Sequence, residues 1–179
     1  QKALDIVINA KIPIGIGSKL AELREIMQGE MNPSFEKQDE SILIPNLNLS
    51  QNRAIRHALS AHDVAVIHGP PGTGKTYQIA EICKRLCDQG KSVLVTSLTN
   101  RALIEVVEKP ALTSMLDQGK VFKTKISTDE AKEIPRLQPT KDINPQPGKI
   151  VLSTFFISSN EATNIVDTPP FDYVIVDEA

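Results

Sequence analysis

Four compact apolar runs punctuate the chain: Val64–Ile67, Val93–Val95, Ile150–Leu152 and Tyr173–Val176. Each is short, rich in β-branched residues and apolar on both faces, the pattern of parallel strands buried under helices. Between the first two, Lys75–Gln89 has helical spacing and stops at Gly90. Asn100–Lys109 reads as a second helix, ended by Pro110. Strand, helix, strand, helix predicts an α/β fold with a doubly wound, mostly parallel sheet flanked by helices. Upstream, Leu20, Leu23, Ile26 and Met27 give Lys19–Gln28 a helical period, with Gly29 as its stop. Ser50 reads as the N-cap of a short helix over Gln51–Ser60. The pattern divides the chain at about residue 46. Residues 1–45 form a helical and irregular appendage, and residues 46–179 form the α/β domain. Within that domain, residues 110–149 carry Pro110, Pro135, Pro139, Pro145, Pro147 and many charges. They are expected to be a surface excursion with one short strand near Val121–Ile126.

Composition changes this picture little. A length of 179 residues suits one α/β domain with a small appendage, and 40% hydrophobic residues suffice for a real core. The formal net charge of −2 excludes a globally basic surface, so any nucleic acid must be met by a local groove. No apolar run reaches the roughly 18 residues of a membrane span, and no signal-like segment opens the chain. The chain opens on Gln1 and stops at Ala179 straight after a strand-like run, so it is expected to be a piece of a longer protein. Cys83 and Cys87 are too few for a disulfide framework or a zinc site. Their spacing puts them on one helix face, as small packing residues.

The candidate chemistry begins at HGPPGTGKT. Gly69, Pro70, Pro71, Gly72, Thr73, Gly74, Lys75 and Thr76 fit G-x-x-x-x-G-K-[ST] between an expected strand and an expected helix. Glycines let consecutive backbone N–H groups converge on an anion, and the helix start adds the positive end of its dipole. Lys75 suits the β- and γ-phosphates of a nucleoside triphosphate, and the Thr76 hydroxyl suits Mg²⁺. This is the phosphate loop of a P-loop NTPase. At the other end, YVIVDEA delivers Asp177 and Glu178 from the end of a strand, where ligands gather on open α/β sheets. Asp177 is the candidate Mg²⁺ ligand, and Glu178 the candidate general base toward the attacking water.

The four segments LNLSQNRAI (47–55), GPPGTGKT (69–76), VLVTSLTNRAL (93–103) and FDYVIVDEA (171–179), in this order, resemble a superfamily 1 helicase. The resemblance is strongest to the branch containing the nonsense-mediated-decay RNA helicase and the Okazaki-fragment nuclease-helicase. It covers about residues 46–109 and 148–179. It implies the first RecA-like domain of a motor that hydrolyses ATP with Mg²⁺ and moves along single-stranded RNA or DNA. Gln51 matches the glutamine that recognises adenine, a role its two-way amide suits. Thr99, Asn100 and Arg101 match a motif that touches the nucleic-acid backbone, and Ser153 and Thr154 resemble another. The resemblance also implies a partner, a second RecA-like domain that supplies arginines to the transferring phosphate and closes the nucleotide cleft. The setting it implies is intracellular, cytoplasmic or nuclear, with no membrane.

Two other readings use the same residues. AAA+ protein-remodelling ATPases also carry GPPGTGKT. Here Asp177 stands 102 positions after Lys75 (177 − 75), farther than such a module places its Asp-Glu pair. A nucleotide-binding scaffold without catalysis has no need of a base at Glu178.

Overall fold

The strand β1 (Val93–Ser97) lies between two parallel partners, β4 (Ile150–Thr154) and β5 (Tyr173–Asp177), in residue-for-residue register. On the far side of β4 follow β2 (Val121–Thr124) and β3 (Gln138–Thr140), again parallel, giving the order β3-β2-β4-β1-β5. This computed structural model describes residues 16–141, 143–162 and 171–177, and the chain divides into two compact units, residues 1–75 and 76–179.

The second unit holds the whole sheet. Its core strands are the short β-branched runs expected of a sheet covered on both faces: Val93, Val95, Ile150 and Leu152 are fully buried. The helix α3 (Lys75–Asp88) turns Ile79, Ile82, Cys83, Leu86 and Cys87 inward. Burial pushes the Cys83 thiol far up and the Cys87 thiol to about 12, so both are inert packing groups. Gly90 ends the helix at φ 76°, where its N–H reaches the Cys87 carbonyl at 2.9 Å and the Lys91 N–H reaches the Leu86 carbonyl at 2.9 Å. The chain then enters β1. Ser92 donates its N–H and hydroxyl to Asp172 (2.8 and 2.7 Å), which clasps the starts of β1 and β5 together. After β1, α4 (Asn100–Val107) buries Leu103, Ile104, Val106 and Val107, and its N-cap Thr99 accepts the Ala102 N–H at 3.2 Å.

The Pro-rich stretch 110–149 is more than a surface excursion. It contains a 3-10 turn (Pro110–Leu112), α5 (Thr113–Asp117), β2, α6 (Thr128–Glu133) and β3. Leu112, Met115, Leu116 and Val121 from it are buried. The prolines at its turn and strand do not oppose this, because they sit where no ladder bond is needed. Pro110 opens the 3-10 turn, and Pro139 lies on the edge strand β3. After β4 comes α7 (Phe155–Ala162). The expectation that Tyr173–Val176 is covered on both faces does not hold: Val174 is 55% and Val176 44% exposed on the edge strand β5.

The first unit carries α1 (Ile16–Gln28) and α2 (Leu49–Leu59). Asn48, not Ser50, caps α2. Buried Asn52 holds the entry to α2 through the Ile44 N–H (2.7 Å) and the carbonyls of Ile44, Leu47 and Asn48. Its role is structural. Val64–Ile67 is not a strand. Among the described residues of this unit, the only β pairing is the bridge Phe35–Ala61, so the run has no ladder, and Val66 is 78% exposed. β-propensity without a pairing partner makes no strand. Among the described residues, no helix is long and apolar enough to cross a membrane.

Asp63 ties α1 to this extended segment. It is paired with Lys19 and accepts the Ser34 N–H at 3.0 Å and hydroxyl at 2.6 Å. The Lys19 ammonium and the Ser34 donors pull its carboxyl down to about 2. A depressed carboxylate contributes stability above its unfolded value, roughly 3.9, and loses it as pH falls through the folded value. Thermal melts between pH 5 and pH 2 are therefore expected to show Tm falling less steeply in Asp63→Asn than in the parent. Parallel slopes would remove this pair from the acid response.

Candidate functional site

In the first unit, the phosphate loop closes on itself. Thr73 donates its N–H (3.4 Å) and hydroxyl (2.8 Å) to the Pro70 carbonyl. Gly69 passes so near Thr73 that a Cβ there would stand 2.7 Å from its hydroxyl. Gly74 has φ 79°, a conformation that disfavours any side chain, and a Cβ there would stand 2.9 Å from the Gln51 amide nitrogen and push that amide aside. Lys75 Nζ donates to the carbonyls of Gly69 (2.6 Å) and Pro70 (3.2 Å), which lays the ammonium across the turn. Both partners are neutral backbone carbonyls. Pro70, Pro71, Gly72 and Thr73 are all exposed to solvent.

Gln51 belongs to this loop as much as to its helix. Its N–H donates to Asn48 Oδ1 and its Oε1 accepts the Asn48 N–H, both at 2.9 Å, completing a capping box. Its Nε2 donates to the Thr73 carbonyl at 2.9 Å. One side chain thus joins the cap of α2 to the crest of the phosphate loop. The structure brings together Gln51, Gly69, Gly74 and Lys75, and Thr76 follows as the half-buried second residue of α3.

In the second unit, Asp177 ends β5 opposite Ser97 and is 8% exposed. Glu178 lies outside the described residues. The buried hydroxyls of Thr96 and Ser97 at the end of β1 have no partner among the described residues. Ser153 is fully buried and its hydroxyl accepts from Thr124 at 3.1 Å, whereas Thr154, one residue on, is half-buried.

Thr99 caps α4, and Asn100 and Arg101 open it. Both of these side chains are engaged. Arg101, exposed, meets Glu105 (3.4 Å), Glu108 (3.3 Å) and Glu133 (3.0 Å). The Arg101 hydrogen bond holds the Glu133 carboxyl below its ordinary value, while burial and then the neighbouring Glu133 push Glu108 up. An anionic ligand must compete with these carboxylates for the guanidinium. Asn100 Oδ1 accepts from Lys123 Nζ at 2.9 Å. That bond fixes which way the amide faces and leaves its NH₂ end as the donor.

Lys123 is the residue that sequence reasoning missed. It lies fully buried on β2 and also meets Glu130 (3.1 Å) and the carbonyls of Thr124 (3.4 Å) and Lys125 (3.2 Å). Burial pushes the Glu130 carboxyl up, but the Ser127 N–H (2.7 Å) and Lys123 outweigh this and hold it below its ordinary value. A signal was present. Ser127 and Glu130 have capping-box spacing, which plants a carboxylate just after a strand with a lysine at an inward position. Reading 110–149 as surface hid it.

The chain matches the model of a family described as an AAA domain over residues 46–146, more than half its length. It is 35% identical to a DNA replication ATP-dependent helicase/nuclease of Saccharomyces cerevisiae, across 88% of this chain and 11% of that protein. It is 39% identical to the DNA-binding protein SMUBP-2 of Mus musculus, across 51% of this chain and 10% of that protein. To a DNA polymerase alpha-associated DNA helicase of Schizosaccharomyces pombe it is 38% identical, across 35% of this chain and 10% of that protein. The chain thus spans about a tenth of the length of these relatives.

Removing one member of a buried ion pair strands the other, at a cost of roughly 3–5 kcal/mol for well-buried pairs. Lys123→Met is expected to lower stability in urea unfolding by about 3 kcal/mol. Adding Glu130→Gln should cost less than the sum of the two single changes, with a coupling above about 0.5 kcal/mol. Strict additivity would show that the pair does not act as a unit.

Proposed function

This chain belongs to the AAA-domain family and, within it, to the superfamily 1 helicase branch, and from that premise we propose that it is the first RecA-like domain of a nucleic-acid motor. It binds ATP, and in the intact protein it couples ATP hydrolysis to movement on single-stranded RNA or DNA. The observation that carries this reading is the loop Gly69–Thr76 with Lys75 laid across it and Gln51 bonded to its crest.

The residue roles follow from their chemistry. The loop N–H groups and Lys75 hold the triphosphate, and Gln51 reads adenine from its position beside the loop. The Thr76 hydroxyl and the Asp177 carboxylate are hard oxygen donors at a helix start and a strand end, a set that fits Mg²⁺. When bound, Mg²⁺ neutralises charge developing on the phosphates. Glu178 polarises the attacking water. Thr99, Asn100 and Arg101, with Thr154 and the backbone at Ser153, contact the strand. The donor end of Asn100 supports this, because a phosphate oxygen is purely an acceptor. A second RecA-like domain completes the site with arginines. ATP and nucleic acid as ligands support a setting inside the cell, in cytoplasm or nucleus.

An arginine supplied from another domain is worth roughly 10³–10⁵ in rate in related phosphoryl-transfer systems. The isolated 179-residue chain is therefore expected to bind Mg·ATP weakly and turn it over slowly in a phosphate-release assay. Fast turnover by this chain alone, abolished by Glu178→Gln, would contradict the need for a second domain. In the intact protein, ATPase activity is expected to rise on adding single-stranded RNA or DNA. No response to either polymer would overturn the motor reading.

A further inference from the structure

Lys123 is an unusual residue to bury. It lies on β2 with no exposed surface, paired with Glu130 at 3.1 Å. Apolar residues of similar volume often replace a buried ion pair with no loss of stability, so stability alone does not explain this one. Its partners do. The ammonium has three hydrogens, and around it stand Glu130, the carbonyls of Thr124 (3.4 Å) and Lys125 (3.2 Å), and Asn100 Oδ1 (2.9 Å), the shortest contact of the set. The other groups hold the ammonium in place. Lys125 takes a left-handed φ of 51°, uncommon outside glycine, and the two carbonyls that flank its Cα both reach the ammonium. Glu130 is fixed in turn by the Ser127 N–H at 2.7 Å.

Asn100 is exposed at the first position of α4, where Thr99 and not Asn100 supplies the capping bond. The two ends of an amide differ, one accepting and one donating, and an exposed amide turns easily between them. An ammonium only donates. Its bond to Oδ1 therefore draws the oxygen toward β2 and leaves the NH₂ as the opposite end. Both acids on one face of α6 bear on this turn. Glu130 holds the lysine, and Glu133, three residues on, meets Arg101 at 3.0 Å.

We propose that Lys123 is a positioning residue for nucleic-acid binding, which presets Asn100 as a hydrogen-bond donor to a backbone phosphate without touching the polymer itself. A phosphate oxygen only accepts, so an amide already held donor-outward loses little side-chain freedom when the polymer arrives. The proposal rests on the reading that Asn100 contacts nucleic acid. It adds the buried residue through which that contact is set.

The test is a mutant cycle, read by fluorescence anisotropy of the intact protein with a labelled oligo-dT or oligo-U from low to moderate salt. Asn100→Ala is expected to weaken binding roughly 12- to 150-fold, the loss of one hydrogen bond to a charged group. Lys123→Met with Glu130→Gln removes both charges together and strands neither. It is expected to weaken binding roughly 2- to 12-fold, the ordering of one side chain. Lys123→Gln, which stays polar, should do the same, because its amide can donate or accept and so fixes neither orientation of Asn100. In the Asn100→Ala background these changes should have no further effect. A loss that persists there marks a general disturbance of the fold and overturns the proposal. The slope of log K against log salt should match the parent's, and a fall of about 0.7 would make Lys123 a direct phosphate contact instead. Parent-like affinity in the Lys123 variants, or in Asn100→Ala, overturns the positioning role while leaving the motor reading in place. An intact protein that binds neither oligomer overturns both.

Discussion

The structure depends on parallel pairing around β1. A parallel ladder is satisfied only when each strand returns to the same starting edge, so the crossovers lie on the faces and every strand ends at one rim. In this chain Val93–Ser97 locks onto Ile150–Thr154 on one side and Tyr173–Asp177 on the other. Ser97, Thr154 and Asp177 then stand in line at the strand ends, although 80 positions of chain separate Ser97 from Asp177 (177 − 97). The same geometry aligns Lys125, Lys141 and Phe156 at the neighbouring strands. The gathering of these residues at one rim of the second unit is a consequence of strand direction.

That rim is polar, and its polarity is handled in two ways. Lys123 is buried but surrounded by Glu130, Asn100 and two carbonyls, so its charge is compensated and its ammonium orients the first residue of α4. The Thr96 and Ser97 hydroxyls are buried without partners among the described residues. Buried polar atoms normally find partners, so these two hydroxyls at a strand end are exceptions among the described residues.

The first unit solves a different problem. Inside the loop the backbone bond from the Thr73 N–H to the Pro70 carbonyl is long, at 3.4 Å, so side chains add to what holds its conformation. Gln51 and Lys75 supply that support from either side, the amide on the Thr73 carbonyl and the ammonium on Gly69 and Pro70. Because Gln51 also closes the capping box of α2, the position of the loop and the start of the helix are set by one side chain.

Local signals were legible without coordinates. The periods of the helices, the glycine stop at Gly90, the phosphate loop and the β-branched runs of β1, β4 and β5 each depend on neighbouring residues alone. Pairing is not local. Val64–Ile67 has the same composition as the true strands but finds no ladder among the described residues, while Pro139, a poor strand former, is accepted because it sits on an edge. The buried setting of Lys123 and the carboxylates around Arg101 depend on residues 4 to 32 positions apart. Sequence alone singled out the residues proposed to hold a triphosphate, because that motif is a matter of neighbouring residues. Tertiary structure decided which polar groups are buried and which are satisfied within the fold, because burial and hydrogen bonding are properties of the packed chain.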